Sequence, residues 1–137
     1  RGSGPVRVAV KVTVAGDEVA MDFTGTDPQM RAMFNAPVAS SFASAVSGLR
    51  TILSDRSLPA NDGCNRPIRL HFPKGCLLNP HPGAPVRARG LAGLRALDAV
   101  HMALSKVVPE RCPAQGGAPE TAMTRCMSPT TSCHRAN

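Results

Sequence analysis

Five valines at every second position, Val6, Val8, Val10, Val12 and Val14, constrain this chain more than any other feature. A strand turns successive side chains to opposite faces. Period two in β-branched residues therefore predicts a half-buried strand over 6–14, with Arg7, Ala9, Lys11 and Thr13 on the other face. Ala15-Gly16-Asp17-Glu18 supplies a turn, because Gly and Asp tolerate positive φ. Val19, Met21 and Phe23 then alternate with Ala20, Asp22 and Thr24, so the pair predicts a β-hairpin.

Gly25-Thr26-Asp27-Pro28 breaks the second strand, and the stretch to Pro37 reads as loop with a short turn of helix. Over 39–54 the period changes. Val38, Phe42, Val46, Leu49 and Leu53 step by three or four, which predicts a helix with that stripe inward and Ser40 or Ser41 as its cap. Gly48 weakens this helix by roughly 1 kcal/mol relative to Ala. Residues 55–67 are turn-rich. Ile68, Leu70 and Phe72 predict a short strand with Arg69 and His71 outward. Pro73, Gly75, Pro80, Pro82, Gly83 and Pro85 then forbid regular structure and favour extended backbone near 79–85. A second helix is predicted from about 91 to 108, with Leu94, Leu97, His101, Leu104 and Val108 on one face and Pro109 as its stop. Residues 118–137 carry no period and read as a disordered or adventitious tail. The fold class is α+β (or α/β): hairpin, helix, proline-rich strand region, second helix, as a partial domain over 1–117.

Composition narrows the function. The 137 residues make one domain on length. Aromatics are 3%, with no Trp or Tyr, so the core must use Val, Leu, Met and Ala, and base-stacking platforms are disfavoured. The net charge of +7 comes from scattered Arg and Lys, without a basic run. That fits a solvated surface better than a nucleic-acid footprint. Five cysteines, an odd count with no CxxC pair and no signal peptide before them, fit a reduced, cytoplasmic setting better than a disulfide framework. No apolar run approaches the ~20 residues that span a bilayer.

Few constellations suggest chemistry. Asp22 and Asp27 could pair as acid and base or hold a metal, but a strand face and a turn explain them as well. His71, His81, His101 and His134 form no spacing motif. Asp98 and His101 are three apart on a helix and can touch. Cys64 and Cys76 bracket a strand with no base in view. There is no GxxxxGK[ST] phosphate loop and no dinucleotide fingerprint.

Several segments, in order, carry a resemblance. They are Asp22-Phe23-Thr24-Gly25-Thr26-Asp27-Pro28-Gln29; Asn35-Ala36-Pro37; Pro59-x-Asn61-x-Gly63 with Arg66-Pro67-Ile68; Pro73-x-Gly75 with Leu78-Asn79-Pro80; Pro85-Val86, Ala88-Arg89 and Asp98-Ala99-Val100; and Pro109-Glu110-Arg111-x-Pro113-Ala114. Together they resemble the hydantoinase B/oxoprolinase family over about residues 6–117. The resemblance implies part of a hydrolase that opens cyclic amides, hydantoins or 5-oxoproline, with a hydantoinase A-type partner that uses ATP. It implies a divalent metal for the complete enzyme, on an acidic and histidine-rich segment that precedes this region and is not in this sequence. Asn61 and Arg66 are the residues expected to orient substrate or a developing anion; none is expected to bind a metal. Two alternatives stay open: a catalytically inactive truncated remnant, and a small basic binding module.

Overall fold

The structure, a computed structural model, describes residues 5–53 and 61–113. The expectations for the 118–137 tail, Pro59, Cys126, Cys133 and His134 fall outside the described residues. β1 (Lys11–Ala15) and β2 (Glu18–Asp22) form the expected hairpin, with Lys11 opposite Asp22 and Ala15 opposite Glu18. Gly16 takes φ +61° at the turn, a conformation glycine adopts without steric cost. β3 (Ile68–His71) lies parallel to β2, with Asp22 opposite His71, so the sheet order is β1-β2-β3. A parallel neighbour requires a crossover. α1 (Val38–Leu53) provides it, and α2 (Arg89–Leu104) packs on α1 and on β1.

The valine strand is shorter than its pattern. Val6 to Val10 precede β1 and join no sheet ladder. Val8, Ala9 and Val10 are all buried, on both faces, rather than alternately. Their polar groups go to the loop after β2. Thr26 Oγ1 accepts from Ala9 N at 3.2 Å and donates to Ala9 O at 3.1 Å, and Asp27 N donates to Arg7 O. A buried backbone must find such partners wherever they lie. The expected turn of helix between Pro28 and Pro37 is replaced by isolated turns and bends.

Both helices stand where expected, but their expected stripes are only partly buried. On α1 the buried residues are Ser41, Ala45, Val46, Gly48, Leu49 and Ile52, while Val38, Phe42 and Leu53 are exposed. Neither serine is the cap: the helix starts at Val38, and Ser41 N already donates to Pro37 O within the first turn. α2 spans Arg89–Leu104, not 91–108; it buries Ala92, Gly93, Ala96, Ala99, Val100 and Leu104, and leaves Leu94 exposed. The reason is close packing. A Cβ on Gly48 would stand 3.3 Å from Leu97 O, and one on Gly93 would stand 2.6 Å from Ser44 Oγ. Small residues let the helix backbones approach, which gains more contact than burying a leucine stripe at a wider spacing. The helices run parallel, since Ser44 meets Gly93, Gly48 meets Leu97 and Thr51 meets His101.

The core lies between the helix layer and one sheet face. Val12, Val19, Met21, Ile68 and Leu70 join Phe23, Phe72, Leu77 and Leu78 there. Phe23 and Phe72 follow β2 and β3 and stack with centroids 4.6 Å apart. Burying one such ring is worth about 1.5–3 kcal/mol.

Candidate functional site

The motif-bearing loops form one hydrogen-bonded cluster beyond the carboxyl ends of β2 and β3. Gln29 N donates to Gly75 O, Leu77 N to Asp27 O, Ala36 N to Leu77 O, and Gly75 N to Asn79 O. Asn79 Nδ2 donates to Phe72 O at 3.0 Å. Asn35, fully buried, closes the cluster: its Oδ1 accepts from Met30 N, and its Nδ2 donates to Met30 O, Ala32 O and Pro85 O. Asp27 Oδ2 accepts from Arg7 N at 2.8 Å. The carboxylates Asp22 and Asp27 thus hold turns rather than sharing a proton. Asp22 Oδ1 accepts from Thr24 N and Thr24 Oγ1. The Thr24 hydroxyl, above all, lowers the Asp22 pKa against desolvation by burial, with the Thr24 amide and then His71 and Lys11 across the sheet helping.

Asn61 and Arg66 flank a 3-10 turn at Asp62–Asn65 that leads into β3. Asn61 caps it, its Oδ1 accepting from Cys64 N at 3.2 Å, and Arg66 N closes it on Gly63 O. Both side chains are exposed. The spacing P-x-N-x-G therefore has a local cause: an Asn side chain caps the turn.

His101 and Asp98 have other partners than the expected mutual pair. His101 Nε2 lies 2.7 Å from Thr51 Oγ1 and 3.1 Å from Gly48 O. A carbonyl only accepts, so Nε2 carries the proton. Asp98 Oδ2 accepts from Arg95 Nη1 at 3.1 Å. The pair sits in a cleft of about 70 Å³, lined also by Met102, Ser105, Cys112 and Pro113. Sites for small organic ligands run to roughly 300 Å³ or more, so this cleft is too small for a ring substrate. His101 is a polar staple between the helices.

Cys76 is buried, which raises its thiol pKa and leaves it unreactive. Among the described residues no three His, Cys, Asp or Glu side chains converge as a metal site. No helix among them is long and apolar enough to cross a membrane. Sequence reasoning missed Asn35 and Asn79 as the loop anchors, and Gln29, whose Oε1 accepts from His81 N at 2.6 Å. All three lie in the motif segments, which was the available signal.

The hydantoinase B/oxoprolinase family model matches residues 1–133, a stretch that contains the motif-bearing segment. A protein of Pseudomonas sp., provisionally named as the B-type subunit of a D-/L-hydantoinase, is 37% identical over 118 residues, covering 82% of this chain and 20% of that protein. The 5-oxoprolinase PfmaA of Pestalotiopsis fici is 29% identical over 113 residues, with 82% and 8% covered. The 5-oxoprolinase 1 of Arabidopsis thaliana is 33% identical over 96 residues, with 68% and 8% covered. The chain thus spans between 8% and 20% of the length of these relatives.

Proposed function

This chain belongs to the hydantoinase B/oxoprolinase family, and on that premise we propose that it is a loop-bearing segment of a hydrolase that opens cyclic amides such as hydantoins or 5-oxoproline. The observation that carries this reading is the family match over residues 1–133. The interlocked loops support it, because the residues that hold them, Asp27, Asn35, Gly75 and Asn79, lie in the segments that gave the resemblance.

A cyclic amide resists hydrolysis because resonance stabilises it. The complete enzyme draws on ATP and on a divalent metal, together with a hydantoinase A-type partner. The described residues do not fit either group: they hold no three-ligand cluster, and the chain has no phosphate loop. This segment supplies shape and polar contacts. To Arg66, exposed at the end of the Asp62–Asn65 turn that Asn61 caps, we assign contact with a substrate carbonyl or the anion that develops on it. The reaction runs in the cytoplasm.

A chimera provides the test. Residues 5–113 of this chain would replace the matching stretch of the Pseudomonas relative, and ATP-coupled hydrolysis of hydantoin and of 5-oxoproline would be measured with the A-type partner. The expected outcome is retained turnover of at least one ring, with lower turnover in Arg66→Ala. A folded chimera that turns over neither ring overturns the reading. Unchanged activity in Arg66→Ala removes Arg66 from it.

A further inference from the structure

One side of this structure is open in both of its layers. β3 is an edge of the sheet. Val19 N donates to Pro67 O and Phe23 N to His71 O. The parallel ladder therefore turns the N and O of Arg69 and His71 toward β2, and those of Ile68 and Leu70 away from it. Among the described residues no hydrogen bond reaches these outward groups. Edges that face water are commonly closed by a proline, a bulge or an inward charge. Ile68–His71 has none of these: its register is unbroken, and Ile68 and Leu70 pack against the core. The opposite edge differs, because α2 packs on β1.

The second opening is on α1. Val38, Phe42 and Leu53 are spaced by about one and three helical turns, so they share a stripe. They are 48%, 38% and 57% exposed. Ser44, Gly48 and Thr51, which meet α2, lie on the other side of the helix. With α2 on the β1 side, the stripe overhangs the β3 side. An unpaired strand edge is a template for a further strand, and an apolar stripe beside it needs cover. A second copy of this chain fits badly. Antiparallel pairing of β3 with itself sets Arg69 opposite Arg69 or His71 of the other copy, and like charges in that position weaken a ladder. The Pseudomonas relative has four-fifths of its length outside the stretch matched by this chain. We propose that the β3 edge and the α1 stripe dock a segment of a hydantoinase B/oxoprolinase-family polypeptide from outside the matched stretch. That segment brings a strand with an acidic residue opposite Arg69, and an apolar surface that covers Phe42 and Leu53. The proposal rests on family membership and not on the ring-opening reaction.

Amide exchange read residue by residue tests it, in the full 137-residue chain and in the chimera. In the chain alone, Ile68 and Leu70 should exchange at nearly free-chain rates, Arg69 and His71 should stay protected, and sedimentation should show a monomer. In the chimera, Ile68 and Leu70 should slow about 100-fold or more, as amides of an inner strand do. Leu53→Lys should leave the melting temperature of the chain in place and speed Leu70 exchange in the chimera about tenfold. The uncut Pseudomonas relative, whose segment matching β3 should show the same slow amides, replaces a chimera that does not fold. Fast exchange at Ile68 and Leu70 in either folded protein overturns the proposal. So does an unchanged Leu70 rate in Leu53→Lys, or a dimer of the chain alone with both amides protected, which would make the occupant a second copy. Slow amides in a chimera that turns over neither ring would sink the assigned reaction and leave the docking standing.

Discussion

Asp22 stands in the middle of a row of three, with Lys11 opposite on β1 and His71 opposite on β3. Its pKa lies below the ordinary 3.8, chiefly through the Thr24 hydroxyl. A carboxylate with a depressed folded pKa stabilises fully above its unfolded value, and that contribution fades as pH falls through the folded one. Asp22→Asn should therefore be less stable than wild type near neutral pH, and the difference should shrink as pH drops below about 4. Urea unfolding of both proteins between pH 6 and pH 2.5 checks this; a gap that persists at the acid end contradicts it. Asn35 is the harsher case. Its removal leaves Met30 N and three carbonyls in search of partners, and each buried orphan costs about 1–3 kcal/mol. Asn35→Ala should lower unfolding free energy by about 3 kcal/mol or more. A loss under 1 kcal/mol would show that water satisfies those groups instead. The stretch 55–67 was legible as turn-rich, and the Asn61 cap on Cys64 N bears out a turn there. The anchoring by Asn35 and Asn79 was not legible, because it links loops far apart in sequence: Asn35 reaches Pro85.

At the scale of elements, periodicity located the strands and helices and misjudged what they bury. The hairpin follows from alternation, since backbone pairing and side-chain alternation share one period. The extension to Val6 failed because Val8 to Val10 pass under the loop at Thr26, where both faces are covered. The parallel β3 was not legible, since a strand carries no mark of its partner's direction. The helix stripes held only in part, with Val46, Leu49, His101 and Leu104 buried but Val38, Phe42, Leu53 and Leu94 exposed, and for one reason. Leucines and valines dominate any hydrophobic count, yet the α1–α2 contact is set by Ser44, Gly48, Gly93 and Ala96. Two glycines separate space from propensity. Gly48→Ala puts a methyl 3.3 Å from the backbone carbonyl of Leu97 and 3.4 Å from the Leu97 and Val100 side chains, and should destabilise by about 1 kcal/mol or more. Gly90→Ala meets nothing within 4 Å and should stabilise by up to about 1 kcal/mol. Thermal melts of the two variants should move in opposite directions. A shift of the same sign in both would contradict close helix packing.

The described residues form a hairpin, a crossover and a second helix, with a cluster of loops welded beyond the carboxyl ends of the two parallel strands. The family's motif residues are spent mostly on that weld. Asp27, Asn35, Gly75 and Asn79 bond backbone, while the Arg66 side chain is exposed. Resemblance therefore carried the functional reading, while physical pattern alone reached only a basic α+β domain. The weld is the central claim, and amide hydrogen exchange on the full chain tests it most directly. Exchange rates follow local opening, and surface loops without such bonds exchange at nearly the free-chain rate. The amides of Gln29, Ala36, Gly75 and Leu77 should be protected to the same degree as those of β2, opening only with the sheet. Exchange of these four at free-chain rates, while β2 stays protected, would contradict it.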